Sequence, residues 1–239
     1  LSPQTVGSNT TRPWGPHPDY SQYEPWTVQV PMLLCPSDDG GRKKLPYLST
    51  SNDRNRCGRL NYAFSAGDLI KDNEGATDGS NPAPRGIFGY RTGTRISDIR
   101  DGTSNTLALA ERVVGLDATR IRGGIARNVG AVDTSPSTCA SKKGPNDIYN
   151  VTDVSNIGGK NYADGLMCIS GFTTVLPPNS PSCSNTTDGS WGIFTPTSYH
   201  PGGVLGLLAD GAVKFFSDTI NTGDLSLAQN PVGASNYGV

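Results

Sequence analysis

Apolar residues along this chain come in short runs separated by polar stretches rich in Gly, Asn, Ser and Thr. No segment keeps the three-and-four spacing of an amphipathic helix, and several alternate with the period of a strand. Residues 60–64 read as a strand. So does the run Thr106-Leu-Ala-Leu-Ala110, which follows the turn dipeptide Asp101-Gly102. Residues 172–176 make a third short strand, stopped by Pro177-Pro178, and residues 28–34 form an apolar run broken at Pro31. Residues 68–85 and about 117–170 carry little periodicity and read as large loop insertions, the second with one or two short strands. A short helix is predicted from Ser217.

The strongest local signal lies near the C-terminus, in His200-Pro-Gly-Gly-Val-Leu-Gly-Leu-Leu-Ala-Asp210-Gly211-Ala-Val-Lys-Phe-Phe216. Two apolar runs flank Asp210-Gly211, which predicts a hairpin closed by a type I′ turn with positive φ at both central residues. Leu205, Leu207 and Ala209 alternate with Gly206 and Leu208, so the first strand is apolar on both faces. A strand of that kind is expected to be covered on both sides and central in its sheet.

Composition agrees. The chain holds 30 Gly and 18 Pro in 239 residues, about 20% against a usual ~12%. Eighteen of the 21 acidic residues are Asp, the exceptions being Glu24, Glu74 and Glu111. Asp favours turns and caps, whereas Glu favours helix interiors. The expected fold class is mainly β or α+β, with few short helices. A net charge of −1 removes the general argument for a polyanion partner. The basic cluster Arg42, Lys43, Lys44, Arg54, Arg56 and Arg59 lacks the aromatics that would stack bases, so it reads as a solvated loop and no nucleic-acid partner is expected. No run approaches the ~18 apolar residues of a spanning helix.

Candidate chemistry is sparse. The histidines are His17 and His200, and no G-x-S-x-G, H-E-x-x-H, Walker or dinucleotide pattern occurs. The chain is therefore not expected to be an enzyme. His200 has two readings: a general base paired with Asp210, or a structural cap at a strand entrance. The second is favoured, with His200 buried at the hairpin mouth beside the turn that holds Asp101 and Asn105. Cysteines at 35, 57, 139, 168 and 183 show no C-x-x-C spacing and no neighbouring His, which argues against zinc and for disulfides in an oxidising compartment. For a cation, Asp68, Asp72 and Asp78 offer oxygen ligands, and Ca²⁺ is the candidate cofactor. Trp14, Trp26 and Trp191 are candidate aromatic contacts, for another subunit or for an envelope polysaccharide.

The spacing of His200 from Asp210-Gly211 resembles the H-x₉-D-G signature of the prepilin-type-processing-associated family, pseudopilin-like proteins of the bacterial envelope. Further blocks resemble that family in order: Leu33-Leu-Cys-Pro-Ser-Asp38, Asn61-Tyr-Ala63, Gly86-Ile-Phe88, Ile96-Ser-Asp-Ile-Arg-Asp-Gly-Thr-Ser-Asn-Thr106 with Glu111, and Val175-Leu-Pro-Pro-Asn-Ser-Pro-Ser-Cys183. The resemblance implies an antiparallel, pilin-head-like sheet with large loop insertions. The family's N-terminal hydrophobic helix is not in this sequence, which on the resemblance represents the globular head. The expected layout is an aromatic, Pro-rich arm over residues 1–25, one head domain over 26–225, and a Gly/Asn-rich tail over 226–239. Cys139 is expected to pair with Cys183 and Cys35 with Cys57, leaving Cys168 as a thiol. The functional expectation is an extracellular or cell-surface structural subunit of a fibre, pseudopilus-like assembly or envelope lattice. Its partner would be itself, joined head to tail, with the arm of one copy on the next. The alternative is an extracellular carbohydrate-binding module, and a hydrolase is the least favoured reading.

Overall fold

In a computed structural model, the described residues are 5–6, 9–10, 15–18, 23–43, 54–74 and 85–229. Trp14, Asp78 and residues 230–239 lie outside them, and so do the expectations placed there. The early strands are β1 (Thr5–Val6), β2 (Asn9–Thr10), β3 (Tyr62–Ser65), β4 (Phe88–Gly89), β5 (Thr92–Gly93) and β6 (Leu107–Glu111). The later ones are β7 (Ile125–Ala126), β8 (Val154–Ser155), β9 (Gly171–Phe172), β10 (Cys183–Ser184), β11 (Gly192–Ile193), β12 (Gly203–Leu208) and β13 (Val213–Ser217). Three single-turn helices accompany them: α1 (Glu24–Thr27), α2 (Ser137–Ala140) and α3 (Met167–Ser170). The fold is mainly β with few short helices, as composition and periodicity indicate.

The larger sheet has the order β13-β12-β6-β3-β9, antiparallel except for the parallel β3–β9 pair. β12 lies between two partners, as its apolar pattern predicts. Its cover is incomplete, however, since Leu205 is 38% exposed. Register places Val213, Leu207, Leu109 and Phe64 opposite one another across four strands, so they share one face. Val204, Leu208 and Phe216 instead line an apolar groove of about 380 Å³ with Ala110, Phe172 and Leu176.

The turn differs in type from the expectation. Among the described residues of this loop only Gly211 has positive φ, at 91°. Gly211 N–H donates to Leu208 O (3.0 Å) and Leu208 N–H to Ala212 O (2.8 Å). That is a type I turn followed by a left-handed glycine bulge, one residue longer than a type I′ connection. The run at 172–176 is also corrected. Only Phe172 of it continues a strand, because Thr173 N–H turns to Phe194 O (2.6 Å) and Thr174 N–H to Gly67 O (2.9 Å). Pro31 converts the run at 28–34 into a 3-10 turn, Pro31–Leu33. Past Ser217 the chain makes turns rather than the predicted helix.

The stretch read as an insertion carries much of the core. β11-β10-β7-β8 form a second sheet of two-residue strands. Ile121, Val132, Cys139, Tyr149, Val154, Val175 and Ile193 pack in one cluster beside it. The Tyr149 hydroxyl lies 2.9 and 3.0 Å from the carbonyls of Ser182 and Gly124, and burial pushes its phenol well above the usual range. A Cys139–Cys183 disulfide ties α2 to β10 across a sequence separation of 44, a restraint on the unfolded chain of about 4 kcal/mol in the loop-entropy picture. Cys35 and Cys57, expected as a second bridge, are thiols, as is Cys168.

The described part of the arm, and Trp26 just after it, make hydrogen bonds to their own head. Gly58 N–H donates to Trp26 O (2.7 Å) and Asn161 Nδ2 to Pro18 O (2.8 Å), while the Tyr162 hydroxyl donates to Pro25 O. Trp26 stands edge-on to Tyr23 at 5.2 Å.

Candidate functional site

Blocks far apart in sequence meet where β3 and β6 face the loop after residue 33. Pro31 forces a 3-10 turn there, and the chain then runs through Cys35 and Pro36 to the buried Asp38. The Asp38 carboxylate accepts three donors: Gly40 N–H (2.8 Å), Asn61 Nδ2 (2.6 Å) and Val114 N–H (2.9 Å). Asn61 is 1% exposed and also bonds Arg112 O through Nδ2 (2.9 Å), while its Oδ1 accepts Cys35 N–H (2.9 Å). One amide thus clamps the loop to the strand ends. The Arg59 guanidinium donates to Gly40 O. Burial lowers its pKa and the nearby Asp38 charge partly restores it.

Glu111 stands at the last position of β6, opposite Tyr62 of β3. Beyond Gly206 the backbone ladder between β12 and β6 ends, and Glu111 takes over with its side chain. Its Oε2 accepts Leu205 N–H at 2.8 Å, and its Oε1 lies 3.0 Å from His200 Nε2. The Cys35 Sγ is 3.9 Å from the same Oε1. Sulfur, imidazole nitrogen and carboxylate oxygen all lie within 4.8 Å of one another. Tyr62 flanks the cluster. Desolvation raises its phenol pKa first, and the charges of Cys35 and Glu111 push in the same direction. Glu111 is buried, whereas the His200 side chain keeps 34% of its surface.

His200 is therefore neither fully buried nor beside the turn expected to hold it. Its carboxylate partner is Glu111, and it stands at the opposite end of β12 from Asp210. Six strand residues separate the two ends, roughly 20 Å at strand rise. That distance removes the general-base pairing of His200 with Asp210. At the far end, Asp210 N–H donates to Thr103 O (3.1 Å) and Asn105 Nδ2 to Asp101 O (3.0 Å). Asp210, Gly211, Asp101 and Asn105 thus form a turn cluster of their own.

The other candidate ligands are dispersed. Asp68 pairs with Arg85, whose Nε and Nη2 donate to its two oxygens at 2.5 and 2.7 Å. Asp72 has a left-handed backbone (φ 57°) and does not join Asp68 in a metal-ligating group among the described residues. Trp26 and Trp191 are partly buried, the first against Tyr23 and the second against the cluster around Cys183 and Ile193. They do not form one stacking platform.

Cys35 has no base arrangement of the protease kind. Its sulfur lies 3.9 Å from the Glu111 carboxylate, and that carboxylate occupies His200 Nε2. A cavity of about 10 Å³ touches Cys35 and Glu111, with Ser198 and Tyr199 also in its wall. Sequence reasoning had assigned Cys35 to a disulfide and left Glu111 without a role. The available signal was that both fall inside the blocks that resemble the pseudopilin-like family. A family model described as "Protein of unknown function (DUF1559)" matches residues 4–223. No curated protein and no solved structure matches the chain.

Proposed function

Because that match covers nearly all of its length, the chain belongs to the DUF1559 family, the H-x₉-D-G-like group, and on that premise we propose that it is a secreted or cell-surface structural subunit of the bacterial envelope, built into a fibre, pseudopilus-like assembly or lattice. One observation carries the reading. At the β13 edge of the larger sheet, Val213 is 62% exposed and Phe215 53%, beside Leu205 at 38%. All three lie on the face that also holds Leu207 and Leu109. Among the described residues β13 pairs on one side alone, which leaves its other backbone edge for a further strand. An apolar patch on an open edge marks a protein-contact surface. The described arm residues Pro18 and Pro25 are bonded to their own head, and this edge adds a second self-contact to the one expected of the arm. A head-to-tail contact, with the edge of one copy on a different surface of the next, builds a ring or a helical fibre. The apolar groove beside Val204 and Phe216 is the receiving surface.

The test is light scattering of the full chain over a concentration series, with negative-stain microscopy of the concentrated sample. Oligomers that grow with concentration, and that dissociate in the double variant Val213→Lys with Phe215→Glu, are expected. A chain that stays monomeric at high concentration overturns the reading.

A further inference from the structure

We propose that Cys35, Glu111 and His200 are the protein ligands of a single divalent transition-metal ion of the zinc type. Among the described residues this is the one group of three or more His, Cys, Asp or Glu donor atoms that converge. The donors are the soft-to-borderline mixture that Zn²⁺ takes: thiolate sulfur, imidazole nitrogen and carboxylate oxygen. Hard cations take oxygen alone, so this set disfavours Ca²⁺ and Mg²⁺.

Spacing fits. Tetrahedral zinc holds its ligand atoms roughly 3.3–3.8 Å apart. His200 Nε2 and Cys35 Sγ lie 3.0 and 3.9 Å from Glu111 Oε1. Small side-chain rotations bring all three onto one centre. The partly exposed His200 leaves a side for a water as fourth ligand.

The outer partners are those a metal site uses to aim its ligands. Leu205 N–H holds Glu111 Oε2, which leaves Oε1 to face the sulfur and the imidazole. Asn61, fixed in turn by Asp38, holds the Cys35 backbone. The Ser198 hydroxyl accepts the His200 backbone N–H at 3.0 Å. On binding, the Cys35 thiol gives its proton to solvent, and the Nε2 proton that the bond to Glu111 requires leaves to solvent while Nδ1 takes one up; sulfur and Nε2 then donate lone pairs to the ion, and the His200–Glu111 hydrogen bond is replaced by two metal bonds.

Zinc competition against a chromophoric chelator, with the full chain under argon so that Cys35 stays a thiol while the Cys139–Cys183 disulfide is intact, and first stripped of metal, tests the site. One equivalent of tight Zn²⁺ per chain is expected, with no response to Ca²⁺. Cys35→Ser and His200→Gln should each weaken it at least 100-fold, and Asp72→Asn should leave it unchanged. Co²⁺ should give a thiolate-to-metal charge-transfer band that Cys35→Ser abolishes, and Zn²⁺ should slow alkylation of Cys35. Because His200 is partly exposed, His200→Gln should keep its circular dichroism spectrum, which separates ligand loss from unfolding. Absence of stoichiometric zinc, or zinc binding that survives both variants, overturns the proposal. A monomeric chain that still binds zinc would leave this site standing while removing the structural-subunit reading.

Discussion

The two ends of β12 are held by different physics. At the His200 end, the strand's backbone ladder to β6 gives out and a buried side chain, Glu111, takes Leu205 N–H in its place. The contacts of Glu111 there cross long stretches of chain: it is 89 residues from His200 and 76 from Cys35. At the Asp210 end the contacts are mostly local and exposed. Gly211 bonds Leu208, Ala212 bonds Asp210 Oδ1 at 2.9 Å, and Asn105 bonds Asp101. One end is a tertiary junction and the other a turn. The H-x₉-D-G signature therefore spans two separate devices rather than one site, and the two should respond to mutation on different scales.

The largest difference is expected at Asn61. Asn61→Ala removes two donors and an acceptor from a fully enclosed position and leaves the Cys35 N–H, the Arg112 carbonyl and part of the Asp38 carboxylate unmet. Stability should fall by about 4 kcal/mol, given the desolvation penalty of each orphaned group, read as a shift in urea midpoint at unchanged slope. Glu111→Ala should cost about 3 kcal/mol, because it orphans Leu205 N–H and His200 Nε2 at the rim of the core. Both measurements belong in a metal chelator, so that ligand loss does not enter the stability. A cost below about 1 kcal/mol for either would break the comparison, since the junction would then be no tighter than a turn.

What was legible in the sequence divides along the same line. The hairpin, β6 and β3 could be read because strand period and turn chemistry act over a few residues, and Asp210-Gly211 states the turn outright. The turn type was missed because Asp-Gly also suits a type I turn with a bulge at glycine, and the dipeptide does not distinguish them. The second sheet was not legible. β7, β8, β10 and β11 are two residues each, too short to show any period, and Ile121, Val132 and Tyr149 reach the core singly, from a bend, a turn and an isolated bridge. Cys139 and Cys183 are bonded there. Cys35 was misread because ligand searches by spacing see neighbours in sequence, whereas its partners arrive from the end of β6 and the entrance of β12. The blocks resembling the pseudopilin-like family did mark Cys35, Asp38, Asn61, Glu111 and His200, and the fold brings these residues together.

At the turn end, Gly211→Ala sharpens the contrast from the other side. Gly211 sits at φ 91° with open space where a Cβ would stand. No packing clash arises, so the loss should be the backbone term alone, about 1–2 kcal/mol for a left-handed alanine. The asparagine variant should recover part of it, because Asn tolerates the left-handed region better than Ala. Thermal melts of the two variants side by side would show it. Equal losses for Ala and Asn would mean that something other than φ governs this position.

The smallest effect should come from Asp210, the residue that gives the signature its name. Its carboxylate accepts one bond from Ala212 N–H, and both residues are exposed. When Asp210→Ala removes the acceptor, water reaches the amide directly, and the type I turn and the Gly211 bulge keep their backbone bonds from Leu208. A loss of about 0.5 kcal/mol is expected, near the scale of ordinary surface substitutions. Asp210→Asn, which keeps an acceptor at the same distance from Ala212, should be closer still to the parent. In a double-mutant cycle with Glu111→Ala the two changes should add to within about 0.5 kcal/mol, as separated positions without shared partners do. Coupling of 1 kcal/mol or more between them would tie the ends of β12 into one unit, and would return the signature to the reading in which His200 and Asp210 act together.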